Sequence, residues 1–189
     1  MEWAERGGED LRNDHELMEL VKQGDKEAYE MLVLRYRKAG IAFSKQIVKD
    51  EYLAEDVVQD CFATIYIIRH RYSNQASFKT YLFTLIKNRS IDYLRKQKDI
   101  AKLRSLDEVS YSASSAEQVY IEKERRDTIY GYLNQMKGDS GQMLYLYAVE
   151  DLSYDEIAKV MKQSKAQVKI KLYRARQKLR LLQEMEGEL

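Results

Sequence analysis

The sequence contains no proline and only eight glycines among its 189 residues. Proline ends helices because it lacks a backbone N–H and its ring clashes with the preceding turn, so its absence removes the commonest obstacle to long helices. A single cysteine, Cys61, excludes an intramolecular disulfide and a cysteine-based zinc cluster. Its apolar neighbours predict a buried small hydrophobe rather than a redox sensor. The two histidines, His15 and His70, have no companion ligand pattern, and no glycine-rich phosphate loop is present. The expectation is a protein with no metal, no cofactor, no small-molecule substrate and no catalytic residues. No apolar run approaches the roughly 18 residues that a membrane helix needs. The start, Met1-Glu2-Trp3-Ala4-Glu5-Arg6, lacks the basic and apolar segments of a secretion signal, so the cytoplasm is the expected compartment.

What is present is apolar spacing of three and four along most of the chain, which predicts an all-α fold. Asp14 is placed to cap a first helix carrying Leu17, Leu20 and Val21, and Gly24-Asp25 breaks it. A second helix aligns Ala28, Met31, Leu32, Tyr36, Ala39 and Phe43. A third, from about Tyr52 to His70, aligns Ala54, Val57, Val58, Cys61, Phe62 and Ile65. A fourth, from about Ser77 to Lys98, carries Tyr81, Leu82, Leu85, Ile86 and Leu94. The pattern fails between Ser105 and Ala116, where five serines occur, and helical spacing resumes near Glu117. Serine-rich chain gains little apolar burial to offset its ordering entropy. The chain therefore divides into an N-terminal tail (1–13), a helical domain (14–104), a flexible linker (105–116) and a second helical domain (117–189).

The net charge of +1 conceals three charged surfaces. Between Asp50 and Asp60 there are five acids and no Lys or Arg, and Glu55, Asp56, Gln59 and Asp60 share one side of the third helix. Such a side is either a solvated face or an electrostatic dock for a basic partner. From Arg69 to Arg104 ten basic residues stand against Asp92 and Asp99. Tyr72, Phe78, Tyr81 and Tyr93 lie inside that stretch, as stacking on bases with phosphate neutralisation requires. Phe78 and Tyr81 read as core, which leaves Tyr72 as the stacking candidate. From Lys159 to Arg180 nine basic residues occur with no acid.

The strongest local motif lies in this last segment. Ser153-Tyr154-Asp155-Glu156 fits the capping box, in which a serine oxygen and an acid three residues later exchange bonds with free backbone N–H groups. Ser164-Lys165-Ala166-Gln167 repeats it eleven residues on. Two helix starts that close imply a two-turn helix, a tight turn at Lys162-Gln163-Ser164 and a longer helix, the spacing of a helix-turn-helix. In the longer helix Val168, Leu172, Ala175 and Leu179 form the buried stripe. Ser164, Lys165, Gln167, Lys169, Lys171 and Arg174 are the candidates for contact with DNA.

Taken in order, these blocks resemble an extracytoplasmic-function sigma factor of bacterial RNA polymerase from about Asp14 to Glu184. Glu55-Asp56-Val57-Val58-Gln59-Asp60-Cys61-Phe62 is similar to the family's polymerase-binding helix. Ser77-Phe78-Lys79-Thr80-Tyr81-Leu82 and Lys87-Asn88-Arg89-Ser90-Ile91-Asp92-Tyr93-Leu94-Arg95-Lys96 resemble its promoter −10 reading and melting segment. The loop from Arg71 to Ala76 matches the position where family members capture a flipped base. The resemblance implies docking on the β′ clamp helices of core RNA polymerase through Glu55, Asp56, Gln59 and Asp60, with the β flap of the polymerase as a further partner. It implies −10 contacts from Arg71, Tyr72, Asn74, Lys87, Asn88, Arg89, Asp92, Arg95 and Lys96, and −35 contacts from the helix-turn-helix candidates above. It also implies transcription initiation in response to stress or an envelope signal, and an anti-sigma factor that holds the protein inactive, at the membrane in some members. The alternative reading is a conventional helix-turn-helix regulator that binds duplex DNA without polymerase. Two departures from the family pattern stand out: Tyr81 replaces a tryptophan, and Lys162 replaces a glycine in the turn. Opposite charges further suggest that the basic second domain could fold against the acidic helix and mask it.

Overall fold

In a computed structural model the chain is described over residues 12–73, 75–104, 129–134, 136 and 138–187. Among these residues every regular element is helical: α1 (Asp14–Lys22), α2 (Lys26–Val48), α3 (Glu51–Ile67), a 3₁₀ turn (Arg69–Arg71), α4 (Phe78–Arg104), α5 (Ile129–Asn134), α6 (Ser140–Ala148), α7 (Tyr154–Met161) and α8 (Lys165–Gly187). The serine-rich segment 105–116, and the stretch to 128, lie outside the described residues.

The starts of the helices follow local chemistry. Asn13, not Asp14, caps α1: its Oδ1 accepts from the Glu16 backbone N–H at 3.0 Å, and Glu16 accepts from the Asn13 N–H at 3.0 Å. Asp14 is drawn instead to α2, where it accepts from Arg35 at 2.5 Å and from the Tyr36 hydroxyl. One acid so placed ties the first two helices together. Asp25 caps α2 and Asp50 caps α3, each accepting from the N–H three residues on.

Helices α1 to α4 form the first packed unit. Its core contains Leu17, Val21, Leu32, Phe43, Val57, Val58, Phe62, Leu82, Phe83 and Ile86. Burying each large apolar side chain contributes roughly 1.5–3 kcal/mol. Gly40 lets α2 approach closely: a Cβ there would stand 2.9 Å from Ile86 Cδ1 and 3.3 Å from Val58. The buried hydroxyls of Ser44 and Ser90 satisfy each other at 3.0 Å between α2 and α4.

Helices α5 to α8 form the second unit around Leu133, Met143, Leu146, Ile157, Val160, Val168 and Leu172. Gly141 is required by packing, since a Cβ would lie 2.5 Å from the Leu133 carbonyl oxygen. Both capping boxes form. Ser153 and Glu156 exchange bonds at the start of α7, and Ser164 and Gln167 at the start of α8, at 3.0 and 3.2 Å. Between them Lys162 adopts a left-handed conformation, φ 54°, at the end of α7. A glycine would take that conformation without the Cβ penalty, about 1–2 kcal/mol.

The second unit packs on the first, but not where charge alone pointed. Helix α7 lies against α4 and α6 against α2, while the acidic side of α3 stays in solvent. The contact is polar as well as apolar. Lys79 pairs with buried Glu150 at 2.9 Å, and the Tyr145 hydroxyl is 2.9 Å from Glu150 Oε1 and 3.1 Å from the Ala39 carbonyl oxygen. Ser77 and Thr80 donate to Glu156 at 2.9 and 3.1 Å. The expected mask over the acidic helix is thus corrected: the second unit packs on α2 and α4.

Candidate functional site

Three surfaces carry the candidate residues. The first is the outer side of α3. Leu53, Ala54, Val57, Val58, Cys61, Phe62 and Ile65 face the core, which turns Glu55, Asp56, Gln59 and Asp60 outward, all exposed. Arg37 of α2 approaches Glu55 at 4.0 Å, so the row of acids borders the outer side of α2. That border carries a feature the sequence reading missed. Leu34 and Tyr52 are 81% and 84% exposed. Burial pushes the Cys61 thiol up to about 12, so it is a packing group rather than a reactive thiol.

The second surface is the loop before α4 and α4 itself. Arg71, Arg89, Asp92, Arg95 and Lys96 are exposed and Asn88 is half-buried. Asn74 lies outside the described residues. Tyr72 requires correction as a stacking platform: it is buried, 5.4 Å from the Tyr81 ring and 6.3 Å from Phe78, and its hydroxyl donates to the Ala76 carbonyl at 3.2 Å. Aromatic neighbours won it for the core. It instead helps line an open cleft of about 410 Å³ with Asn13, Asp14, His15, Ala76, Ser77 and Phe78.

Lys87 also departs from the expectation of an exposed cation. It is 9% exposed, and its Nζ lies 3.4 Å from the Met161 carbonyl at the end of α7. Burial lowers its pKa, nearby Lys162 lowers it further, and Asp139 opposes both. The turn of the second unit therefore covers this residue.

The third surface is α8. Val168, Leu172 and Ala175 are buried, while Ser164, Lys165, Gln167, Lys169 and Arg174 are exposed and Lys171 is half-buried. Several are already engaged within the molecule. Ser164 and Gln167 spend their side chains on the capping box. Lys165 pairs with Asp155 at 2.7 Å across the turn, and Lys171 pairs with Asp139 at 2.9 Å. Burial would raise the Asp139 carboxyl, but hydrogen bonds from Lys171 and Gln163 hold it below the usual carboxylate range. Arg176 reaches the Tyr154 hydroxyl at 2.6 Å and stacks over Tyr147 at 4.9 Å, clasping α8 to α6 and α7. The sequence pattern had no means of assigning Asp139, because its partner lies more than thirty residues away on another helix.

An acid-faced helix, a basic helix and a helix-turn-helix thus lie on one chain. The chain matches the family models for Sigma-70 region 2 over residues 32–100 and Sigma-70 region 4 over residues 126–179. It is 31% identical over 140 residues to the ECF RNA polymerase sigma factor SigM of Bacillus subtilis, covering 74% of this chain and 85% of that protein. It is 30% identical to the RNA polymerase sigma factor CarQ of Myxococcus xanthus, covering 91% and 99% of the two chains. Its fold is similar to CnrH, solved in complex with the cytosolic domain of CnrY, with a TM-score of 0.65 at 22% identity over 91% of this chain and 97% of that one. It is similar also to the sigma factor RpoE of Bartonella quintana in its complex with the anti-sigma factor NepR, with a TM-score of 0.65 at 19% identity over 82% and 96%. The chain belongs to the ECF sigma factor family. Its function is to bind core RNA polymerase and direct it to promoters, and the conventional regulator is not favoured.

Proposed function

We propose that the division of labour runs along the three surfaces: α3 docks on polymerase, the loop and α4 take the opened −10 element, and α8 reads the −35 duplex. The observation that carries this reading is the outward row Glu55, Asp56, Gln59 and Asp60, whose positions are fixed by the buried stripe on the opposite side of α3. Docking targets are the β′ clamp helices for α3 and the β flap for the second unit. On α4 the cations Arg89, Arg95 and Lys96 are exposed and suited to phosphates, with Asn88 and Asp92 between them. Arg71 is exposed beside the loop, and the cleft lined by Tyr72 is a place for an unstacked base. The division at 14–104 and 117–189 is supported by the separate matches to regions 2 and 4.

An anti-sigma factor is the regulatory partner class, supported by the two solved relatives that carry partners. No described helix is long and apolar enough to cross a membrane. The expected setting is the cytoplasm, with any hold at the membrane supplied by the anti-sigma factor. The test is run-off transcription by core RNA polymerase on sheared genomic DNA. Discrete transcripts are expected with the wild-type protein, and none with Asp56→Lys and Asp60→Lys together; undiminished transcripts from that variant would overturn the docking role of α3.

A further inference from the structure

The side of α8 that faces away from the second unit is apolar where contact with bases would fall. This inference rests on the −35 reading above and deepens it. The buried residues Val168, Leu172 and Ala175 fix the orientation of the helix. Opposite them along the first turns of the helix, at a spacing of four and then three, stand Ala166, Ile170 and Tyr173, with the polar Gln177 following one turn on. All are exposed, Ile170 by 52% and Tyr173 by 63%. Four of the six polar candidates are meanwhile engaged inside the molecule: Ser164 and Gln167 in the cap, Lys165 with Asp155 and Lys171 with Asp139.

Cations flank this apolar strip on both edges, Lys169 and Arg180 on one and Arg174 on the other, and all three are exposed. The surface that matches such a strip has phosphates on two walls and an apolar group on its floor. The DNA major groove has this form wherever thymine presents its 5-methyl group, and the first turns of a recognition helix reach that floor. An anionic lipid surface would accept the cations, but it favours a broad apolar face with large side chains. Here Ala166 stands at the head of the strip, and cations begin one residue from Ile170.

We propose that Ile170, flanked by Ala166 and Tyr173, is a specificity-determining residue that selects thymine in the −35 element by covering its 5-methyl group. Each covered methyl accounts for about a fourfold preference. The capped polar residues then set the angle of the helix and leave the choice of base to this strip.

The test uses holoenzyme reconstituted from core polymerase and the full chain. Duplexes with a randomised −35 region are selected for binding, and thymines in the winning sequence are then replaced one at a time by deoxyuridine. That change removes the methyl and keeps every pairing group. The wild type is expected to lose about fourfold in affinity at one or two positions. Ile170→Ala is expected to lose about as much on the thymine duplex and to become indifferent to deoxyuridine there. Equal affinity for thymine and uracil at every position would overturn the proposal while leaving −35 reading intact. Failure to select any duplex would overturn both. Loss of binding to anionic vesicles in Ile170→Ala, with DNA affinity unchanged, would reassign the strip to lipid.

Discussion

The acidic side of α3 and the basic start of α4 belong to the same packed unit, yet they meet opposite fates in the free chain. The first is open to solvent along its length, whereas the second is partly covered by α7. Charge pattern alone would have paired the basic second unit with the acids. The second unit packs instead over α2 and α4, where the Ala39 carbonyl accepts from the Tyr145 hydroxyl and the buried Thr80 hydroxyl donates to Glu156. The lesson is that a row of like charges marks a surface that costs much to desolvate, and such rows stay in water until a partner of matching charge arrives. Lys79 and Lys87 are the exceptions, and each meets an acceptor from the second unit.

The largest effect should come from reversing the open surface. Asp56→Lys with Asp60→Lys is expected to lower polymerase affinity by at least about a hundredfold, roughly 3 kcal/mol. Because both side chains are exposed, the thermal midpoint should be unchanged. Next is the covered surface. Glu150→Ala removes the carboxylate that Lys79 and Tyr145 share but leaves them the backbone carbonyls of residue 150 and Ala39, so the contact between the units should weaken by about 1 kcal/mol. A larger radius of gyration in solution scattering, with far-ultraviolet dichroism unchanged, is the expected result.

Acid sharpens the same contrast. Two carboxyls on the second unit titrate below their ordinary values. Asp139 is held down by Lys171 and Gln163 against the effect of burial; Glu156 is held down, against burial, by Ser153, Ser77 and Thr80. A depressed folded-state pKa adds stability above the unfolded value, about 4, and that stability is lost as pH falls through the folded value. The second unit and its contact with α4 should therefore loosen below about pH 4, and Asp139→Asn should flatten the pH dependence of unfolding there. The smallest effect is Lys162→Gly, expected to raise stability by about 0.5–1 kcal/mol in urea titration by relieving the left-handed turn.

Much of this was legible in the sequence because it rests on local rules. The helix-turn-helix followed from two capping boxes, and the outward acids followed from the stripe Ala54, Val57, Val58 and Cys61. Local rules also misled. Tyr72 looked available beside Ser73 and Gln75, but two aromatic rings from α4 enclose it. Lys87 and Lys171 counted as free cations in a tally of charge, yet their surroundings come from Met161 and Asp139, distant in sequence. Ile170 lies opposite the buried stripe by spacing alone, among basic residues that dominate the charge pattern of that helix.

The open acidic row, and not the basic helix of the second unit, is proposed to bring this sigma factor to polymerase. Titrating labelled full-length protein with core enzyme, in wild type, in Asp56→Lys with Asp60→Lys, and in Lys169→Glu with Arg174→Glu, tests it directly. The first pair of changes is expected to abolish binding and the second pair to leave it within about threefold of wild type. Binding that survives reversal of the α3 acids and disappears on reversal of the α8 cations would contradict it.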